Sequence, residues 1–389
     1  MKDNPQVVKK TLDLGILYLG RTLIAMVPFF SVPTLIRKLG VDFWTRLAVW
    51  QSIGLILSTL IELSWTNSGY SRMRKLDSFT VTRIAIRQKY FVFCILIIPM
   101  IAFLLAKGYG SEYVLLVMVV IYSSSIGLTN SWVWVSENRI KLFVCLEAVP
   151  KFIVGFFFLS FIRDINDVIH YFIILTITNV VCSGLPIIGL MNQSSGLIRF
   201  PIKTEILYGL ARMVQSLYFA AFLPIANLLH VRDLTNFAFI ERLYRMTMSA
   251  IAPVSQYISA EVVRNAYSKI QILKRAIQIS LVSNSILILV CSPIFSKWFF
   301  NHTINLNLIF FSFIGLSTVV TFNRLFSILF MSKSKLQNKF SFLLLGCSIV
   351  FIVTLFPMLK FFQTSGIVIA AIVAELFYFL IGLRIEDRS

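Results

Sequence analysis

The sequence predicts an all-α polytopic membrane protein with about 12 transmembrane helices. Hydrophobic residues make up 58% of the 389 residues, while Asp, Glu, Lys and Arg together make up only 14%. A soluble domain carries roughly 25% charged residues, so this chain has too few polar side chains to cover a surface that faces water. Apolar runs of helical length also recur along the whole chain, as a protein that crosses a bilayer many times requires.

The individual spans can be traced because a membrane helix needs about 20 mainly apolar residues. Their approximate limits are 11–36, 44–68, 90–107, 113–133, 142–162, 167–190, 205–229, 235–260, 275–296, 305–331, 340–360 and 364–384. The first segment is long, contains Arg21 and lacks a small-residue cleavage site, so we interpret it as a membrane helix and not as a cleaved signal peptide. The spans divide equally into two six-helix bundles, which we place at 1–195 and 196–389.

The basic residues predict the orientation of these spans. The net charge is +19, with 36 Lys and Arg against 17 Asp and Glu. If the N-terminus is cytoplasmic, 22 of the 36 basic residues fall in cytoplasmic regions and 8 in outside regions. Cytoplasmic loops of membrane proteins carry such an excess, so we expect both termini in the cytoplasm. We attribute the positive charge to topology and expect no nucleic-acid partner.

Cysteine, histidine and the loops give no sign of a cofactor. The five Cys are far apart, lie in apolar runs and show no CxxC spacing, and the three His are scattered. We therefore expect neither disulfides nor a metal centre, and the Cys are interpreted as small buried hydrophobic residues. The sequence contains no GxxxxGK[ST] phosphate-binding loop, and its segments between spans are too short for a soluble domain. We predict that the protein is not an enzyme.

The two halves show a short internal similarity. Segment 17–21 in the first span, Leu-Tyr-Leu-Gly-Arg, is similar to segment 207–212 in the seventh, Leu-Tyr-Gly-Leu-Ala-Arg. Bundles with an even number of helices have the same orientation in the membrane and enclose a cavity between them. We expect that cavity to be cationic, because arginines lie within the spans of both halves.

Ionised residues inside the membrane cost roughly 2.5–3.5 kcal/mol each on insertion scales and mark functional sites. Two of the basic residues within the spans have an acidic residue of the same span four positions earlier, which predicts the intrahelical pairs Glu147–Lys151 and Glu241–Arg245. The arginines within spans still outnumber the acidic residues available deep in the membrane. Since a buried arginine without a carboxylate needs an anion, the predicted anion-binding residues are Arg21, Arg212, Arg242, Arg245 and Arg324.

Two carboxylates remain as candidates for ion coupling. Glu62 and Glu375 lie within predicted spans and have no basic residue four positions away. A carboxylate in that setting can bind and release a proton, so we predict these two as the residues that couple an ion gradient to transport.

Four stretches resemble the bacterial polysaccharide transporters, the Wzx-type O-antigen flippases of the MATE-related MOP superfamily. Segment 36–40, Ile-Arg-Lys-Leu-Gly, is similar to the family's RxLG turn, and segment 67–72 resembles the family's exit from helix 2. Segment 132–141 resembles its Trp-containing end of helix 4, and segment 237–256 is similar to its helix 8. One departure is segment 42–44, Asp-Phe-Trp, which comes after Leu39-Gly40 where the family often has a second Gly.

The resemblance implies a flippase that moves undecaprenyl-diphosphate-linked oligosaccharide across the bacterial inner membrane, from the cytoplasmic to the periplasmic leaflet. It also implies the polymerase and chain-length proteins of the same pathway as partners. Alternatives are a lipid II flippase, a MATE-like exporter of cations, and a membrane polymerase or ligase. An excess of arginine disfavours cationic cargo, and outside loops of about 5–12 residues disfavour a polymerase or ligase.

Overall fold

The structure is a computed structural model, and it consists of helices and irregular segments. It describes residues 5–62, 65, 73, 77–108, 110–137, 139–190, 214–215, 218–231, 233–264, 269–332 and 337–387. No strand occurs among these residues, and the predicted all-helical fold is confirmed. The helix contacts divide the chain into two compact units, an N-terminal unit over 1–202 and a C-terminal unit over 203–389.

The N-terminal unit contains eight described helical segments and two irregular helical turns. The helices are α1 (Pro5–Leu39), α2 (Val41–Glu62), α3 (Ser78–Lys107), α4 (Ser111–Ser125), α5 (Ser131–Ser136), α6 (Ile140–Phe143), α7 (Val149–Leu159) and α8 (Ile165–Leu190). A 3-10 turn, Ile126–Leu128, follows α4, and a π-helical turn, Val144–Ala148, joins α6 to α7. These two turns lie inside membrane spans and position most of the polar residues discussed below.

Small residues let α2 approach the span that contains α4. A Cβ on Gly54 would lie 2.4 Å from the Cβ of Ser123, and a Cβ on Gly127 would lie 2.3 Å from the carbonyl oxygen of Ser58. Membrane helices pack through such small residues because the solvent gives little hydrophobic drive for their association. The 3-10 turn is therefore held directly against the backbone of α2.

The C-terminal unit is built around one central helix. Its helices are α9 (Phe222–Leu228), α10 (Leu234–Arg264), α11 (Lys269–Cys291), α12 (Pro293–Phe300), α13 (Leu308–Ser332), α14 (Gln337–Phe362) and α15 (Ser365–Asp387). The central helix α13 contacts α10, α11 and α15, while α14 packs along α15. Charged residues on α10, α13 and α15 are thereby brought close to one another.

Nine helices within the described ranges are long and apolar enough to cross a membrane, and each overlaps one of the predicted spans. Of the remaining three, 44–68 and 235–260 correspond to the helices α2 and α10. The span predicted at 205–229 lies partly outside the described residues. Its described end includes α9, Phe222–Leu228. The total of 12 spans and the orientation of the termini stay predictions.

One predicted boundary is wrong. The third span was predicted to begin at residue 90, which leaves Arg83, Arg87 and Lys89 in a cytoplasmic loop, but α3 already begins at Ser78. Arg83 and Arg87 lie exposed on this helix, whereas Lys89 is fully buried. Apolar residues at helical spacing before Lys89, such as Val81 and Ala85, are the sequence signal for the longer helix.

Candidate functional site

A break in one membrane span organises the polar residues of the N-terminal unit. The span Ser111–Ser136 is helical to Leu128, and Thr129 and Asn130 then leave helical geometry before α5 begins. Thr129 has a ψ of 131°, so its carbonyl cannot continue the helical hydrogen-bond pattern. Inside a membrane such a carbonyl must find another donor, because no bulk water is present.

Two lysines bind Thr129. The Nζ of Lys89 donates a hydrogen bond of 2.7 Å to its carbonyl oxygen, and the Nζ of Lys151 lies 3.5 Å from its hydroxyl. Lys151 also forms the predicted intrahelical pair, with its Nζ 2.9 Å from the Glu147 carboxylate. Glu147 belongs to the π-helical turn and is only 1% exposed. The three charged groups therefore converge on one backbone break.

Arg21 contacts the same break from α1. Its Nη2 donates a hydrogen bond of 2.7 Å to the hydroxyl of Ser131, which is the first residue of α5. Its guanidinium carbon lies 5.3 Å from the centre of the Phe143 ring, which is a cation–π contact. The Nε atom of Arg21 is buried without a hydrogen-bond partner in the described part of the chain.

Glu62 lies near Lys89. It is the last residue of α2 and is half-buried. Its charge acts on the Lys89 ammonium, together with the charges of Glu147 and Lys151. The structure thus gives Glu62 a basic neighbour that sequence spacing does not reveal, since the two residues lie on different helices.

In the C-terminal unit, Glu375 is buried among neutral hydrogen-bond donors. The Nε2 of Gln215 donates to its carboxylate over 3.0 Å, the Nδ2 of Asn323 donates over 2.5 Å, and the Tyr218 hydroxyl donates as well. No lysine or arginine forms an ion pair with Glu375 among the residues that the structure describes. The carboxylate is therefore held by amides and a phenol within α15 and its neighbours.

A cavity of about 100 Å³ lies beside this carboxylate. Its lining residues are Gln215, Phe219, Val320, Asn323, Arg324, Glu375 and Tyr378. Arg324 is exposed, and its Nη1 lies 3.5 Å from the carbonyl of Met248. Arg245 donates to the carbonyl of Phe219 over 2.9 Å and forms the predicted ion pair with Glu241. Arg324 thus lines the cavity itself, while Arg245 contacts the lining residue Phe219.

Arg242 and Arg212 are the remaining predicted arginines. Arg242 is half-buried on α10, three positions before Arg245. Arg212 lies outside the described residues. Arg21 and Glu62 belong to the N-terminal unit, whereas Arg242, Arg245, Arg324 and Glu375 belong to the C-terminal unit. The described ranges contain no group of three or more His, Cys, Asp or Glu that could hold a metal ion.

Sequence reasoning missed four polar residues of these sites. Lys89 was assigned to a loop, and the neutral donors Gln215, Tyr218 and Asn323 were not considered. Neutral residues in membrane helices most often join helices by hydrogen bonds, so their type alone does not indicate a site. Only their convergence on Glu375 shows what they bind.

Comparison with known proteins shows a shared fold. No protein-family model matches the chain, and no curated protein does. A solved chain named only protein A matches with 15% identity and a TM-score of 0.64, over 100% of this chain and 96% of that chain. MATE in complex with MaD3S matches with 14% identity and a TM-score of 0.57, over 98% of this chain and 96% of that one.

A MOP superfamily transporter from Pyrococcus furiosus matches with 15% identity and a TM-score of 0.55, over 98% of this chain and 95% of that one. That transporter is described as having a binding pocket of reverse polarity, which suggests a different function for it. Similarity at this identity shows the fold alone. The chain is thus a multi-pass membrane protein with the fold of the MATE and MOP superfamily transporters.

Proposed function

We propose that the protein is a flippase that moves undecaprenyl-diphosphate-linked oligosaccharide from the cytoplasmic to the periplasmic leaflet of a bacterial inner membrane. Its motif resemblance to polysaccharide transporters supports this substrate, and its transporter fold supports alternating access as the mechanism. The cargo bears a diphosphate, so the membrane-embedded protein must offer positive charge to that group. The polymerase and chain-length proteins of the same pathway are the proposed partners.

The observation that carries the proposal is the setting of Arg21. This arginine lies inside a membrane span, and its contacts are a hydroxyl and an aromatic ring, neither of which neutralises its charge. No carboxylate pairs with it among the described residues. A guanidinium in this state can bind a phosphate through two parallel hydrogen bonds, and the buried Nε atom supplies one of the required donors.

We assign the other predicted arginines to later steps of the same transport cycle. Arg242, Arg245 and Arg324 supply positive charge in the C-terminal unit, and Arg212 is included on its sequence position alone. Arg324 lines the cavity beside Glu375, while Arg245 is held by Glu241 and by a backbone carbonyl. We therefore expect Arg324 to contribute more to phosphate binding than Arg245.

Glu62 and Glu375 are proposed to couple transport to an ion gradient. Glu375 is supported by its burial at 1% exposure and by its place in the cavity wall, where Arg324 is its neighbour. Glu62 is supported by its position beside Lys89. A proton that binds either carboxylate changes the local charge by one, which in turn changes the affinity of a nearby arginine for an anion.

The experiment that tests the function has a cellular and a biochemical part. Deletion of the gene in its host should cause lipid-linked repeat units to accumulate in the cytoplasmic leaflet. The purified protein should bind undecaprenyl diphosphate, and Arg21→Ala should weaken that binding about tenfold, as expected for the loss of a charge-assisted contact. Arg83→Ala is the matched control, because Arg83 is exposed on a membrane helix and should leave the affinity unchanged. Equal affinities of wild type and Arg21→Ala would contradict the proposal.

A second candidate is a MATE-like exporter of cations, which the shared fold and a buried carboxylate favour. Such cargo needs acidic binding groups, and Glu375 is the buried carboxylate that could supply one. An exporter would confer resistance to cationic drugs on a sensitive strain, and Glu375→Gln would remove that resistance.

A lipid II flippase is a further alternative, because its cargo bears the same diphosphate. Such a flippase would rescue cells that lack their own lipid II flippase.

A further inference from the structure

Lys89 is a buried cation for which the proposed function has no role. It lies in the middle of α3 and is 0% exposed. Its one hydrogen bond within the described residues joins Nζ to the Thr129 carbonyl at 2.7 Å, although an ammonium has three donors. A structural lysine pays a large desolvation cost for a single contact, because burying a charge is unfavourable unless it is well paired.

The position of the ammonium resembles that of a bound metal cation. In transporters with broken membrane helices, the carbonyl groups at the break coordinate the ion that drives transport. Here the break at Thr129 is occupied by the Nζ of Lys89, which carries the same single charge as a bound monovalent cation. An ammonium tethered to the chain cannot leave, but its proton can.

We propose that Lys89 is a proton-binding site through which a proton gradient acts on the N-terminal unit. In the charged state the ammonium donates to the Thr129 carbonyl. In the neutral state one N–H bond has broken, its electron pair stays on nitrogen, and the proton has left for the aqueous phase on one side of the membrane. The amine then holds the carbonyl without charge assistance, which weakens the contact at the break.

The charged groups around Lys89 allow such a change. The charges of Glu62 on α2, Glu147 in the π-helical turn and Lys151 on α7 lie near enough to act on it. The thiol of Cys182 on α8 lies close enough to be affected by Glu147 and Lys151. With Lys89 charged, the two lysines balance the two carboxylates. Loss of the proton leaves these four side chains with a net negative charge, and such a charge in a membrane favours a change of hydration or conformation.

The break also connects this site to the proposed substrate site. Lys89 holds Thr129, and Arg21 holds Ser131 two residues later. A diphosphate that binds Arg21 competes with the Ser131 hydroxyl, while a proton on Lys89 strengthens the contact at Thr129. The diphosphate and the proton therefore both change the contacts of segment 129–131, and such a shared element is the physical requirement for coupling between two sites. This second half of the inference rests on the proposed function, whereas proton binding by Lys89 does not.

The test measures charge movement in proteoliposomes that contain no substrate. The protein is adsorbed on a solid-supported membrane, and steps of external pH are applied. Wild type should give a transient displacement of charge as Lys89 gains or loses its proton. Lys89→Arg should reduce that displacement to less than one half, because a guanidinium stays charged. Lys89→Met should do the same, because it has no proton to exchange. Lys107→Met is the matched control, since Lys107 is exposed at the end of the same helix.

The outcomes separate the two proposals. The assignment is wrong if Lys89→Arg, with a thermal midpoint like that of wild type, keeps more than one half of the charge displacement. It is also wrong if the wild-type protein gives no displacement. If the charge displacement is lost in Glu62→Gln but retained in Lys89→Arg, the proton binds to the Glu62 carboxylate, and the assignment to Lys89 is again wrong. If Lys89→Met does not fold, Lys89→Arg still decides, because it keeps the charge and can still donate to Thr129. A protein that shows the displacement but fails to bind undecaprenyl diphosphate contradicts the proposed function alone.

Discussion

The guanidinium of Arg21 donates a hydrogen bond of 2.7 Å to the hydroxyl of Ser131, a residue 110 positions later in the chain. This contact joins the first helix to the first residue after the break in the span Ser111–Ser136. A hydroxyl is a weak partner for a half-buried cation, and a phosphate would be a stronger one. The diphosphate of the proposed substrate would therefore compete with the Ser131 hydroxyl for Arg21.

Substitution of Arg21 gives the most direct prediction. Arg21→Ala should lower transport at least tenfold, and Arg21→Lys should lower it less, because lysine keeps the charge but loses the bidentate donor geometry. Arg21→Glu should abolish transport, since its charge repels the phosphate. Transport is measured by complementation of a flippase-deficient strain at equal protein level. Full complementation by Arg21→Ala would mean that Arg21 does not bind the substrate.

The buried pair Glu147–Lys151 predicts a strong effect on stability. Lys151→Met leaves a buried carboxylate without its partner and should destabilise the protein by about 3–5 kcal/mol. The double substitution Glu147→Gln with Lys151→Met should recover much of this loss, because no charge then remains unpaired. Thermal unfolding in detergent measures both effects. Arg46–Glu112 is the matched control pair, since both side chains are mostly exposed and Glu112→Gln should cost less than about 1 kcal/mol.

The proposed coupling carboxylates predict a change in pH dependence. If Glu62 or Glu375 exchanges protons during transport, the Gln variant at that position should transport at a rate that no longer varies with pH, while diphosphate binding persists. Glu112→Gln serves as the control, because Glu112 is exposed and should leave the pH profile unchanged. A profile like that of wild type in both variants would remove Glu62 and Glu375 from the mechanism.

His302, which lies between the spans that end at Cys291 and begin at Leu308, predicts a pH dependence of stability. Burial lowers the pKa of its imidazole below the ordinary 6.5, and Asp233 partly opposes this change. The ring stacks on Phe239 with the centroids 4.8 Å apart. Since the unfolded chain binds the proton more readily, the stability that neutral His302 contributes is present above pH 6.5 and is lost as the pH falls below it. His302→Phe should make the thermal midpoint less dependent on pH in that range. A steeper dependence in the variant would show that the sign is wrong.

The orientation predicted from the basic residues can be measured by cysteine labelling. In a variant without its native Cys, an impermeant maleimide applied from outside should label a Cys at Asp164 or Asn301. It should not label one at Lys339 or Arg384. All four positions are exposed, so accessibility within the fold does not limit the reaction. Labelling only at Lys339 and Arg384 would place both termini outside the cytoplasm.

Much of the architecture could be predicted because it depends on local properties of the chain. The apolar composition determines that the protein lies in a membrane, and span length follows from bilayer thickness. The pairs Glu147–Lys151 and Glu241–Arg245 were predicted and confirmed, because residues four positions apart are neighbours on any α-helix. The boundary error before Lys89 has a local cause as well, since polar residues at the start of α3 were attributed to a loop.

The sequence by itself determined that this is an all-helical membrane protein with arginines inside its spans. Only the tertiary structure decided what those residues contact: Lys89 holds Thr129, Arg21 holds Ser131, and Asn323 binds Glu375. Such contacts join residues 40, 110 and 52 positions apart, so no periodicity along the chain reports them. They depend on which helix faces pack together and on where a helix breaks, and both are set by side-chain packing between distant segments.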